Sequence, residues 1–131
     1  AHGYQHHGGG HGDKNNVTCN LAVMRMDGFA SLSSKSGDVG VWETPALSIP
    51  EYASTLHVNA DVSGELTVEL LEPETDVVLN GLSAANCAPF SGDDTDAVIQ
   101  WDDAGIADAS GRDARLRFVF AEGEVFSFWF E

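Results

Sequence analysis

The chain has 131 residues, 21 of them acidic and 6 basic, for a formal net charge of −15. That length holds one domain with a modest core, and a hydrophobic fraction of 43% separates it from disordered acidic chains. So negative a chain repels phosphate, which argues against nucleic acid and anionic lipid as partners, and no apolar run approaches the roughly 18 residues of a membrane-spanning helix.

Residues 1–16, AHGYQHHGGGHGDKNN, hold five glycines, four histidines and no aliphatic residue larger than alanine. Such a segment buries nothing by itself and reads as a flexible His/Gly-rich arm preceding a β domain at 17–131. Neutral imidazole is a borderline ligand, so His2, His6, His7 and His11, with Asp13 nearby, can chelate zinc, copper or nickel. Their spacing matches no closed structural zinc motif, and the alternative is a solvated arm. An arm of this composition holds a fixed shape only against a metal, its own domain or a neighbouring subunit. Arms that complete another subunit's sheet are a known mode of β-assembly, and Tyr4 can anchor one by packing on a neighbour. Asn16-Val17-Thr18 is a glycosylation sequon, of use in a glycosylating host.

From Val17 onward, short apolar runs alternate with Gly, Asp, Asn, Ser and Pro. Alternation predicts strands at 19–26, 39–43, 55–60 and 65–71, then at 97–101 after an acidic loop. Strands at 114–121 and 124–130 are expected to form a hairpin through Glu122-Gly123. In the first, Leu116, Phe118 and Phe120 share one face opposite Arg115, Arg117 and Val119. In the second, Val125, Ser127 and Trp129 oppose Phe126, Phe128 and Phe130, so both faces are largely apolar. Only 102–110 has room for a helical turn or two. Many short strands with turns between them predict an all-β sandwich or barrel.

Compartment follows from processing and composition. The chain opens at Ala1, the form expected after signal-peptide removal, although an excised fragment looks the same. Scarce lysine beside abundant carboxylates suits a saline or calcium-rich exterior, and the expected location is extracellular, at the cell surface. In an exported domain Cys19 and Cys87 can form one bridge, closing a loop of about 68 residues and contributing about 4 kcal/mol. The alternative is two buried thiols.

Ser91-Gly92-Asp93-Asp94-Thr95-Asp96 places the carboxylates of Asp93, Asp94 and Asp96 within four residues, and Trp101-Asp102-Asp103 follows. Calcium takes six to eight oxygen ligands, so the loop has suitable chemistry, although it lacks the order of an EF-hand. Between 36 and 111 there are fifteen acidic side chains and no Lys or Arg, which favours cation binding over that stretch. Exposed aromatic rings would offer stacking platforms for sugars. The candidates are Trp42, Tyr52 and Trp101, with Trp129 beside them, against the alternative that each is core. Catalysis finds little support. No carboxylate pair stands out as acid and base, phosphate-binding glycine loops are absent, and His57, the only histidine outside the arm, reads as a locally hydrogen-bonded strand residue. The chain is expected not to be an enzyme.

A family likeness rests on Arg25-Met26-Asp27-Gly28-Phe29-Ala30-Ser31-Leu32, Val58-Asn59-Ala60-Asp61, Glu65-Leu66-Thr67-Val68-Glu69-Leu70-Leu71, Asn86-Cys87-Ala88-Pro89-Phe90-Ser91-Gly92-Asp93, Trp101, Arg115-Leu116-Arg117-Phe118 and Val125-Phe126-Ser127-Phe128. In order and spacing these motifs, over about 24–130, resemble the C-terminal β-sandwich accessory domain of secreted bacterial glycoside-hydrolase-like proteins. The resemblance implies a jelly-roll-like sandwich, a non-catalytic role beside an enzyme, and a grip on polysaccharide. It also places Asp27 in the family's Asp-Gly-Phe turn, where its side chain can cap the backbone. The arm lies outside the family pattern. The leading expectation is therefore a secreted, non-catalytic β-sandwich that acts as a structural or adhesive subunit, self-associating through the arm with cations bridging acidic surfaces. The alternative is a carbohydrate-binding accessory module.

Overall fold

The structure is a computed structural model that describes residues 21–131, Ser36 excepted. The described residues are all-β, with strands β1 (Leu32–Ser33), β2 (Val39–Glu43), β3 (Leu47–Ser48), β4 (Leu56–Leu71), β5 (Phe90–Ile99), β6 (Asp113–Ala121) and β7 (Gly123–Phe130). The helical potential of 102–110 is realised as a single 3₁₀ turn, Ile106–Ala109.

The two alternating runs at 55–60 and 65–71 are one strand. β4 runs unbroken for 16 residues and carries Leu56, Val58, Ala60, Val62, Leu66, Val68 and Leu70 on one face, all fully buried. Alternation sends every second side chain inward, and a run this long supplies a core to both halves of the sheet.

The hairpin expected at Glu122-Gly123 does not form. β6 and β7 do not pair with each other. Both run antiparallel to β4, β6 against Leu66 to Leu71 and β7 against Leu56 to Val62, as one bent ribbon. Glu122, at φ 52°, makes the bend. The ladder that β4 offers on both sides of Gly64 outweighs a local turn. At the bend the two ribbons touch backbone to backbone: a Cβ on Gly64 would lie 2.4 Å from the Ala121 carbonyl oxygen, and one on Gly123 2.5 Å from that of Asp61. Only glycine permits this approach.

β5 lies along the other side of β4, while β1, β2 and β3 line the far side of the β6–β7 ribbon in succession. A single sheet thus folds across its own bend and is nearly closed into a barrel. The two halves meet through aromatic rings. Phe118 stacks on Trp42 at 4.8 Å and meets Phe128 at 5.3 Å, and Phe128 meets Phe130 at 6.3 Å. The sandwich-like packing arises from one bent sheet.

Three further expectations change. Residues 21–26 of the strand expected at 19–26 carry no strand pairing, and residues 26–29 form a turn closed by Gly28 N–H donating to Arg25 C=O at 2.9 Å. The acidic stretch expected as a loop is most of β5. In β7 a bulge opposite Asn59 and Ala60 shifts the phase, so Val125 turns inward with Phe128 and Phe130 while Trp129 faces outward beside His57.

Candidate functional site

The outer face of the sheet is where the N-terminal segment meets the domain. β4 presents His57, Asn59 and Asp61 there, opposite Trp129, Ser127 and Glu124 of β7. Arg25 lies across this face. Its guanidinium donates to Asn59 Oδ1, to Asp93 Oδ1, to the Ala60 carbonyl at 3.0 Å and to the Asp94 carbonyl at 2.8 Å. It also sits 4.8 Å over the Phe126 ring, which the β7 bulge turns toward it. Asn59 Nδ2 returns a bond to the Met26 carbonyl at 2.7 Å, and Ser127 Oγ donates to Asp27 Oδ2 at 3.3 Å. The planar fork of an arginine suits such a many-partnered seat. Asn59 is 1% exposed and fully committed. The sequence reading missed this seat. Its signal was present: Arg25 is the only cation between Lys14 and Lys35, just ahead of an Asp-Gly turn.

Upstream of that root the apolar side chains are uncovered among the described residues. Leu21 is 90% exposed and Val23 86%, with Met24 exposed as well, and on the other side of the root Met26 and Phe29 are exposed too. Lone exposed apolar residues are ordinary, but a run of them is an interaction signal.

Asp93, Asp94 and Asp96 are separated by their commitments. Asp93 pairs with Arg25, Asp94 Oδ1 accepts the Asp96 N–H at 2.9 Å, and Asp96 Oδ1 meets His57 Nδ1 at 2.7 Å. Among the described residues no three metal-ligating side chains converge. His57 is locally bonded: Nε2 meets Thr55 Oγ1 at 2.9 Å, the Glu131 carboxylate lies 3.6 Å away, and the ring stacks on Trp129 at 5.4 Å. The backbone N–H groups of Ser54 and Thr55 both donate to Glu131 C=O, so this cluster ties Glu131 to the entry of β4.

The aromatic candidates lie in different environments. Trp101 is core: it is 7% exposed and donates its indole N–H to Val68 C=O at 3.0 Å, so it offers no face to a sugar. Its short run ends against Cys87 on the inner side, where burial overrides a polar neighbourhood. Tyr52 is exposed in the turn before β4. Trp42 is half-buried and lines a cleft of about 330 Å³ with Leu32, Val125, Phe126 and Phe128, at the gap between β1 and β2. Cys87 is buried and has no disulfide partner among the described residues, and its Sγ accepts the Val68 N–H at 3.4 Å. Burial pushes that thiol above its ordinary range, and the Asp102 charge adds to the shift. Its expected partner Cys19, the ligands His2, His6, His7 and His11, and Asn16 lie outside the described residues.

Away from this face, Arg115 and Arg117 form a charged net with Glu43, Glu69 and Asp76. The bonds that Arg117 donates to Glu43 and Glu69 raise its pKa, and the Arg115 guanidinium holds the exposed Asp76 carboxyl below its usual range. The net neutralises part of the outer surface of β2 and β6.

No family model matches the chain, and no curated protein or solved structure matches it either.

Proposed function

We propose that this is an extracellular, non-catalytic β-domain that serves as a structural or adhesive subunit and associates with copies of itself through its N-terminal arm, with cations offsetting the repulsion between acidic surfaces. The observation that carries this reading is the exposed apolar run upstream of Arg25. Arg25 ties the segment at 21–29 to the domain, while Leu21, Val23 and Met24 just before it have no apolar cover among the described residues. Burying them on another copy removes that surface from water, at about 25 cal/mol per Å². Copies at −15 each repel one another, so salt or a divalent cation assists. The resemblance to accessory domains of secreted enzymes supports an external location and a non-catalytic role.

Light scattering on the full chain across a concentration series, in calcium and then in chelator, tests the reading. Concentration-dependent oligomers that grow with calcium are expected. A monomer throughout would overturn it, and binding to a polysaccharide panel by that monomer would establish the carbohydrate-binding alternative.

A further inference from the structure

We infer that a polar cleft between the loop joining β4 to β5 and the loop joining β5 to β6 is a binding site for a neutral saccharide. The inference goes beyond self-association: it gives the adhesive role a ligand class, and it holds for a monomer and an assembly alike.

The cleft is built by contacts that fasten the two loops together. Cys87 and Trp101 form an antiparallel bridge. On either side of it Ala88 N–H donates to Gln100 C=O at 2.8 Å and Asp102 N–H to Asn86 C=O at 3.0 Å. A tight turn, closed by Leu82 N–H on Leu79 C=O at 3.0 Å, carries Gly81 at φ 79°. A Cβ on Gly81 would lie 2.7 Å from the Ala104 Cβ, so the loops touch at that point. The enclosed space is about 460 Å³, within the range of about 300–1,000 Å³ usual for small-ligand sites.

The polar groups around it retain bonding capacity. Asn86 Oδ1 accepts from Ser83 Oγ at 3.1 Å, while its Nδ2 has no partner among the described residues. Asp108 Oδ2 accepts the Gly105 N–H at 2.9 Å, which leaves Oδ1 open. Arg112 gives one Nη to Glu72 at 3.0 Å and keeps its other donors. Asn80 and Asp103 are exposed, and their side chains bond to nothing among the described residues. The acidic side chains of β5 differ, since Asp93, Asp94 and Asp96 each hold a partner.

This mixture selects the ligand class. Carboxylates accept, a guanidinium donates and amides do both, so the matching ligand must donate and accept at neighbouring positions, as vicinal hydroxyl groups do. Leu79, Leu82 and Ala104 add apolar surface on which the C–H face of a sugar ring can lie. Asp103 and Asp108 outnumber Arg112 within a chain of net charge −15, which disfavours phosphate and uronate. A bare metal ion finds no three converging ligands among the described residues. None of the aromatic residues singled out in the sequence lines this cleft.

Heteronuclear NMR on the full chain tests the site. The probes are gluco-, galacto-, manno- and xylo-hexaoses at millimolar concentration, with an oligogalacturonate as the anionic member. At least one neutral hexaose should shift the side-chain amide signals of Asn80 and Asn86 saturably, and the oligogalacturonate should bind more weakly. Asp103→Ala removes a side chain with no protein partner, as does Asn80→Ala, so both should melt like wild type. Binding should weaken at least about tenfold in the first and about threefold in the second. Tyr52→Ala, which removes an exposed ring elsewhere, should bind as wild type does. No saturable shift with any neutral hexaose would overturn the inference. So would binding that survives Asp103→Ala and is lost in Tyr52→Ala, or tighter binding of the oligogalacturonate. Light scattering reads self-association separately, so the failure of either idea leaves the other standing.

Discussion

Asn59 illustrates how little room a single position leaves here. It occupies an outward site on a strand, where a polar residue is commonplace, yet it is nearly inaccessible because Arg25 and Met26 lie across it, its Oδ1 accepting from the guanidinium and its Nδ2 donating to the Met26 carbonyl. A buried amide is tolerated when its oxygen and its nitrogen each have a partner. Cys87 is the opposite case, a thiol held in apolar surroundings with one weak backbone donor. Its raised pKa has a definite sign in linkage terms. The folded state favours the protonated thiol, so its contribution is fully present below the ordinary thiol value of 9.0 and is lost as pH rises through the higher folded value. Denaturant titrations of the reduced protein should therefore show stability falling above about pH 9. The fall should be less steep in Cys87→Ala. Equal slopes in the two proteins would contradict the burial argument.

At the level of elements, the bend between the halves of the sheet carries the fold. Three backbone features coincide there: Gly64 against Ala121, Gly123 against Asp61, and Glu122 in the left-handed region. The neighbours of Gly64 are carbonyl oxygen and carbonyl carbon, which cannot swing aside as a side-chain tip would. Gly64→Ala should consequently cost about 1–3 kcal/mol in chemical denaturation, the usual range for overpacking. Gly37→Ala makes the contrasting control: its Cβ would meet nothing within 4 Å, so strain from its φ of 83° is the only penalty. A loss at Gly64 no larger than that at Gly37 would show that the ribbons separate easily at the bend. The β7 bulge belongs to the same scale, since it frees Phe126 to support Arg25 while Val125 joins the core.

Across the whole molecule, charge is the dominant fact. Fifteen uncompensated negative charges lie on a small surface, and the net around Arg115 and Arg117 offsets only its own neighbourhood. The Debye length falls from about 30 Å at 0.01 M to about 8 Å at 0.15 M salt. The thermal midpoint should accordingly rise by a few degrees between those concentrations, the equivalent of about 1 kcal/mol. A midpoint that falls with salt would mean that the ion pairs of the arginine net outweigh the general repulsion.

Period-two alternation in 39–43, 55–60, 65–71, 114–121 and 124–130 was enough to determine the all-β class, because alternation is a local property, but it did not settle which face turns inward: Val39 and Val41 are exposed, and the β7 bulge reassigns the faces of 125–130. Leu116, Phe118 and Phe120 were legible as core in this way, and they are buried. The glycine and glutamate at 122–123 read locally as a hairpin. Only the distant β4 ladder decided that they make a bend, since a turn's geometry depends on what the strands beyond it pair with. Trp101 had the flanking carboxylates of a surface residue, yet the Val68 carbonyl and the core around it drew the ring inside. The Arg25 seat was not legible at all as a unit, because its partners come from positions 59, 60, 93, 94 and 126. Hydrophobic period is written along the chain. Which carboxylate an arginine finds, and which sheet edge is left bare, depend on contacts between distant segments, which exist only once the sheet has bent.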